Sequence, residues 1–333
     1  MNIIQIKTSK KVLVTGANGF LGSWIVKGLV QEGHEVFAFV RRGSDLSELI
    51  GVRCQFRYGD ITDESSVAAA AAGCDSIFHL AGLISYKRSE LQRMELINIK
   101  GTAHILKAMQ INSVRRLVHF SSVAAIGAGL TSSEILNEES VYNLAPYKMG
   151  YFDTKHAAEI LVKAACEKHG LDAVIVNPST VYGAGDALKG SRKMQVKVAR
   201  GKLPFYTPGG VNVLGVEDLV NGVISAWEKG RRGERYILSG DNLLIKDLFA
   251  LIAESAGKPP PRFLIPAAVM LGLGQIGDWI GRGLSKDNAY SSCLFHFFSN
   301  EKARSELQFD PRPAKEAIQK SVLWMREHQM LEP

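Results

Sequence analysis

Nine tyrosines occur in this 333-residue chain, and only Tyr151 is followed four residues later by a lysine, Lys155. Four residues is about one helical turn, so on a helix the two side chains share a face. A phenol that moves a proton near neutral pH must titrate far below its free value of about 10. An adjacent ammonium favours the phenolate and so works in that direction. Upstream, Ser121 and Ser122 follow the apolar run Arg116–Phe120. A serine hydroxyl there could hydrogen-bond a substrate oxygen beside the tyrosine. It could equally do no more than cap the strand end, and the Tyr–Lys spacing alone also arises by chance.

A second constellation is the string TGANGFLG at residues 15–22, with Gly16, Gly19 and Gly22 spaced G-x-x-G-x-x-G. In a dinucleotide site the first glycine permits a tight turn. The second lets the backbone approach a pyrophosphate, and the third allows close helix–strand packing. Phe20 and Leu21 would open the following helix, whose free N–H groups attract phosphate. Glycines also serve plain turns, but here a strand pattern precedes the string and a helical pattern follows it. A dinucleotide brings a nicotinamide, whose cationic form would further favour a Tyr151 phenolate.

Where the next strand ends, an acidic residue would accept from a ribose 2′-hydroxyl. This chain has Arg41 and Arg42 there instead. Guanidinium groups donate in pairs to a 2′-phosphate, so NADP(H) is favoured over NAD(H), unless both arginines are simply solvated. After the third strand, Asp60 could accept from the adenine amine and the Ile61 N–H could donate to the ring.

These residues require elements to hold them. Lys11–Thr15 reads as a buried strand, Phe20–Glu32 as a helix stopped by Gly33, Glu35–Val40 as a second strand and Cys54–Tyr58 as a third. Ser65–Ala72 reads as a helix closed by Gly73, Ser76–Leu80 as a strand, Leu96–Gln110 as a helix and Arg116–Phe120 as a fifth strand. The long amphipathic helix Tyr151–His169 precedes a strand at Ala173–Val176. Strands alternating with helices imply βαβ units and a parallel sheet, and right-handed crossovers make it doubly wound. The predicted fold is α/β, a Rossmann-type doubly wound parallel sheet with a smaller C-terminal substrate lobe. The dinucleotide domain spans 1–182, with a return segment near 211–230. Residues 183–333 mostly form the lobe, where glycines and prolines break the alternation.

Bulk composition narrows the function classes. The net charge of +7 comes from dispersed cations without a basic block, which suits a solvated surface and an anionic cofactor better than nucleic acid. The four cysteines lack any metal-binding spacing, so no metal is expected and reduced thiols are the simplest account. Residues 1–11 have no signal-peptide core, and the expected location is cytoplasmic. The most apolar stretch of the lobe, residues 263–284, is too interrupted by Pro266, glycines, Asp278 and Arg282 to span a membrane. It reads either as a core helix or as an amphipathic flap over the substrate cleft. In the flap reading Met270, Leu273, Ile276 and Trp279 form its apolar side.

Taken together, TGANGFLG (15–22), GDITD (59–63), HLAG (79–82), NIKGT (98–102), FSSVAAIG (120–127), Tyr151 with Lys155, and NPSTVYGAGD (177–186) resemble the extended short-chain dehydrogenase/reductase superfamily. This is the NAD-dependent epimerase/dehydratase superfamily, and the chain is similar to its dihydroflavonol-4-reductase-like group and to bacterial sugar epimerases. The resemblance implies Ser122, Tyr151 and Lys155 as catalytic residues. It implies that Leu80, Ala81 and Gly82 line the ribose and nicotinamide, with Lys155 on that ribose, and that Asn177, Pro178 and Ser179 approach the carboxamide. Where the family's dehydratases carry an Asp-Glu pair, this chain has Val123-Ala124, which argues against dehydration. Ile126 replaces the usual tyrosine beside the serine. The implied activity is reduction or oxidation of a carbonyl or secondary alcohol in a small organic substrate. Epimerisation and a non-catalytic NADP-binding role are the alternatives, and a homodimer through the long helices is a common family arrangement.

Overall fold

The computed structural model describes residues 9–188, 192–280 and 284–332. Its central sheet is built from strands whose side chains are buried on both faces, as parallel sheets require. In β1 (Lys11–Thr15), Val12 and Val14 point to one layer of helices and Leu13 to the other, following the two-residue period of a strand. The remaining strands of this sheet are β2 (Glu35–Val40), β3 (Gln55–Tyr58), β4 (Ser76–His79), β5 (Arg116–Phe120), β6 (Ala173–Pro178) and, much later in the chain, β10 (Arg235–Leu238). The order is β10-β6-β5-β4-β1-β2-β3, all parallel.

On one face lie α1 (Phe20–Gln31), α7 (Val216–Lys229) and α11 (Glu301–Leu307). On the other lie α2 (Glu64–Ala71), α4 (Gly101–Asn112) and α5 (Gly150–His169). The short α3 (Leu91–Met94) runs into α4 through a π-helical stretch, Glu95–Lys100. The helix expected at 96–110 is therefore longer than its sequence signal, and its first turns are wound wide.

Chain order reverses between β1 and β4, the two strands that flank the topological switch point. Ligands of open α/β sheets bind outside the carboxyl ends of strands at such a point. Thr15 pairs with His79 across it, and His79 pairs with His119.

The rest of the chain supplies short elements. β7 (Thr180–Tyr182), β9 (Gly210–Gly215), β11 (Asp241–Leu244) and β13 (Phe295–His296) form a second sheet, and β8 (Phe205–Tyr206) pairs with β12 (Phe263–Leu264). A separate apolar cluster gathers α6 (Lys193–Ala199), α8 (Ile245–Ala256) and α12 (Ala314–Glu327) around Val213. The last two helices are α9 (Ala267–Ile280) and α10 (Lys286–Ser291). The core-helix reading of residues 263–284 does not hold where the structure describes them. In α9 only Met270 and Gly274 are buried. Residues 281–283, which include Arg282, lie outside the described part.

Candidate active site

The glycine string lies at the switch point. Gly16 adopts φ +65°, and a Cβ there would come within 3.0 Å of the Ala81 backbone. At Gly22 a Cβ would sit 2.1 Å from the Gly16 carbonyl oxygen. Only hydrogen fits at either place, so β1, α1 and the end of β4 approach closely. Gly19 caps α1 in extended geometry, with no side chain capping the helix and no acidic residue in its first turn. The N–H groups at the Phe20–Leu21 end are thus open to an anion.

Side chains beneath fix this turn. The Thr15 hydroxyl lies 2.8 Å from Nδ1 of His79 and accepts from the Ala81 N–H at 3.1 Å. Nε2 of His79 lies 3.2 Å from the Thr102 hydroxyl, which donates to the Asn98 carbonyl. Burial, helped by the Lys155 charge, pushes His79 down to about 3, so it is neutral at pH 7. Leu80 and Ala81 are half-buried and Gly82 is exposed along one wall.

Arg41 and Arg42 are exposed at the end of β2, and the Arg42 guanidinium lies 5.2 Å from the Tyr58 ring centroid. Partial burial would raise the neighbouring Asp60 carboxyl. Hydrogen bonds from the Thr62 N–H (2.9 Å) and hydroxyl (2.8 Å), with the Arg41 charge, hold it below its ordinary value. Ile61 is buried, and its carbonyl lies 2.9 Å from Nδ1 of His104.

Across the crevice, α5 presents Tyr151 and Lys155, both buried. Burial raises the Tyr151 phenol, opposite to the lowering expected from the neighbouring lysine, and a hydrogen bond with Ser122 opposes that rise. Ser122 also accepts from the Ala124 N–H at 3.1 Å, so the capping role and the contact with the tyrosine coexist. Nζ of Lys155 donates to the Phe120 carbonyl at 2.8 Å. Burial lowers Lys155 to about 8, with Glu159 opposing. A Cβ on Gly82 would lie 3.6 Å from that Nζ, which brings the β4 wall against the lysine.

Asn177 and Pro178 are buried in β6, and Ser179 follows them. The Oδ1 of Asn177 and the hydroxyl of Ser179 are buried without a hydrogen-bond partner. Buried polar atoms seldom remain unpaired. These two, the tight glycine cradle and the uncapped helix end fit a dinucleotide laid across the carboxyl ends of the strands.

Two further residues organise the site. Glu159, buried one turn beyond Lys155, accepts from Ser121 (2.8 Å), Asn177 Nδ2 (2.8 Å) and Arg235 (3.1 Å). It ties α5 to β5, β6 and β10 at once. Residue type gave no signal for it, since α5 carries three acids, Asp153, Glu159 and Glu167. Asn98 accepts from the Leu83 N–H (2.8 Å) and donates to the Leu83 carbonyl (3.0 Å) and to Thr154 (3.1 Å). It sits in the π-helical stretch, which no residue pattern announces.

Beyond the tyrosine, the wall is apolar and aromatic. Met94, Ala124, Leu144, Met149, Phe152 and Leu294 cluster with Tyr151, and the Tyr86 ring lies 6.4 Å from it, edge to face. Ile126 is fully buried away in a separate small cluster. A cavity of about 180 Å³ between Tyr182, Val216, Arg312, Lys320 and Trp324 holds none of the sequence-predicted residues.

Comparison with known proteins agrees with this geometry. The family model described as NAD dependent epimerase/dehydratase family matches residues 12–238. Sterol demethylase protein B of Methylococcus capsulatus is 31% identical over 334 residues, covering 96% of this chain and 99% of that protein. Dihydroflavonol 4-reductase of Zea mays is 29% identical over 263 residues, 73% of each chain. The crystal structure of gox2253 superposes with a TM-score of 0.87 at 30% identity, covering 97% of this chain and 100% of that one.

Proposed function

Because this chain belongs to the NAD dependent epimerase/dehydratase family, whose members are nicotinamide-dependent enzymes, we propose that it is an NADP(H)-dependent reductase of a ketone in a small, largely apolar substrate. The observation that carries this reading is the placement of Tyr151. Ser122 sits at its phenol oxygen, Lys155 is buried one turn further along the same helix, and apolar and aromatic side chains surround it. A neutral phenol is a proton donor, which is what carbonyl reduction needs.

Gly16, Gly19, Phe20, Leu21 and Gly22 hold the pyrophosphate in this proposal, and Asp60 and Ile61 hold the adenine. Leu80, Ala81, Gly82 and Lys155 flank the nicotinamide and its ribose. Asn177, Pro178 and Ser179 meet the carboxamide, to which the two orphaned oxygens offer acceptors. Arg41 and Arg42 take the 2′-phosphate. The reduced dinucleotide supplies hydride to the carbonyl carbon. Ser122 orients the carbonyl oxygen, and Tyr151 gives that oxygen its proton, so ketone, hydride and proton become a secondary alcohol. Lys155 stabilises the phenolate left behind, and the phenolate regains its proton from water before the next turnover. In the same reading residues 1–182, with the return segment near 211–230, carry the dinucleotide. Residues 183–333 mostly shape the substrate site.

The test is a panel of ketones, aldehydes and nucleotide sugars followed by NADPH absorbance. One NADPH consumed per alcohol formed supports the reductase. Conversion of a sugar with no net change in cofactor would establish an epimerase in its place.

A further inference from the structure

The reaction leaves one surface of the second lobe unused. In α9, Val269, Leu273, Ile276 and Ile280 recur at helical spacing and form one stripe, each 47–58% exposed. Trp279 at its rim is 86% exposed. The opposite side is held: Met270 is buried, and a Cβ on Gly274 would lie 2.7 Å from the Ala289 side chain, so α9 rides close on α10. Asp278, the sole charge of α9, is turned to that side and accepts from the Lys286 N–H at 3.3 Å. The outward stripe is therefore uncharged. It continues into the β8–β12 ribbon, where Phe205, Phe263 and Leu264 are exposed and the two phenyl rings lie 6.1 Å apart.

Cations stand at the ribbon end of this patch. From Ala187 to Val216 the sequence has six Lys or Arg and no carboxylate, and from Ser255 to Gly277 two more and again none. Lys193, Lys197, Lys202, Lys258 and Arg262 are exposed, and among the described residues none of them is in an ion pair. Lys258 packs against Gly201, and the backbone N–H of Arg262 bonds to the Pro204 carbonyl, so both stand at the ribbon. A contiguous exposed apolar patch marks an interaction surface. Apolar side chains with an interfacial tryptophan, flanked by uncompensated cations, match a bilayer surface bearing negative headgroups. Pairing two copies through this face would oppose like charges. The α9 helix has 14 residues, and among the described residues no helix is long and apolar enough to cross a membrane.

We propose that this face docks the enzyme on an anionic phospholipid bilayer. The α9 stripe and the β8–β12 ribbon lie in the interface, and the lysines and Arg262 rest on headgroup phosphates. The docked face adjoins the substrate side of the site. Tyr290 of α10 stacks on Tyr147 at 4.4 Å, and Leu294 belongs to the cluster around Tyr151.

Flotation of the whole protein with vesicles tests this without reference to its reaction. One vesicle is phosphatidylcholine alone, and the other contains a third phosphatidylglycerol. Binding is expected only to the second and is expected to weaken as salt screens the headgroups. K202Q/R262Q should bind roughly 30-fold more weakly, at about fivefold per cation. I276S/W279S, which changes only exposed positions, should abolish binding with an unchanged melting temperature. Failure of the unmodified protein to float with anionic vesicles would overturn the proposal, as would equal binding to both vesicles. So would sedimentation showing an oligomer that W279S dissociates, since a second copy would then cover the face.

Discussion

At the scale of single residues, the proposed chemistry rests on Tyr151 and the proposed cofactor preference on two arginines. Tyr151→Phe keeps the ring packing against Tyr86 and Phe152 and removes the proton. Once a substrate is in hand, kcat should fall by about 10²–10⁴-fold while dinucleotide binding, read by fluorescence titration, stays within error. An unchanged rate would refute the assignment. Arg41 and Arg42 are exposed, with Arg42 resting only on the Tyr58 ring, so replacing both with alanine should change stability little. Charge-assisted hydrogen bonds are worth about 1.5–3 kcal/mol. NADPH should accordingly bind roughly 10- to 150-fold more weakly and NADH almost as before; equal affinities in the unmodified protein would refute the preference. Tyr151, Lys155 and Ser122 could be read from the sequence because their types and order carry chemistry. Glu159 and Asn98 could not, because their contribution is to hold other residues. A buried carboxylate with three donors looks, in a string of letters, like any surface glutamate.

At the scale of elements, the glycine turn sets the tightest constraint. With a Cβ 2.1 Å from the Gly16 carbonyl oxygen, Gly22→Ala must push α1 away from β1. Forced overpacking of this kind costs about 1–3 kcal/mol. It should also lower affinity for both dinucleotides together, unlike the arginine change; a variant with native melting temperature and native binding would contradict the cradle. The strands and helices up to β6 match their sequence patterns to within a residue or two, since long βαβ units print a clear period. The helix before β5 is the exception. The helix begins five residues earlier than the apolar pattern, at Leu91, and its π-helical turns run from Glu95 to Lys100; no propensity encodes that widening. In the second lobe, strands of two to six residues leave no period to read. There α9 departs from the core-helix expectation: only Met270 and Gly274 are buried, and of the four residues the flap reading put on its apolar side, Leu273, Ile276 and Trp279 are exposed while Met270 is not.

At the scale of the molecule, two histidines under the switch point make stability depend on acid. Burial pushes His79 down to about 3 and His119 well below its ordinary value, so both are neutral in the fold. Unfolded, each takes a proton near pH 6.5. Their full contribution is therefore present above pH 6.5 and is lost as pH falls from there toward 3, because the unfolded chain binds the extra protons. Each should cost about 1.4 kcal/mol per pH unit in that window. Urea midpoints at pH 7 and pH 5.5 should differ accordingly, and His119→Asn should flatten the dependence. A midpoint constant across this range would exclude neutral burial of the pair.

The seventh strand has a consequence for how the chain is made. β10 pairs with β6, yet 56 residues separate the end of one from the start of the other, and the second lobe's first segments are spelled out between them. On a ribosome, every residue proposed to bind the nucleotide has emerged while the outer edge of β6 is still bare. An unpaired edge strand is a template for other chains, and nascent domains are most exposed at such moments. The growing polypeptide thus passes through a stretch of translation in which it depends on holding factors or on speed. A fragment released after Tyr182 should collect in inclusion bodies on expression, where the whole chain stays in the supernatant.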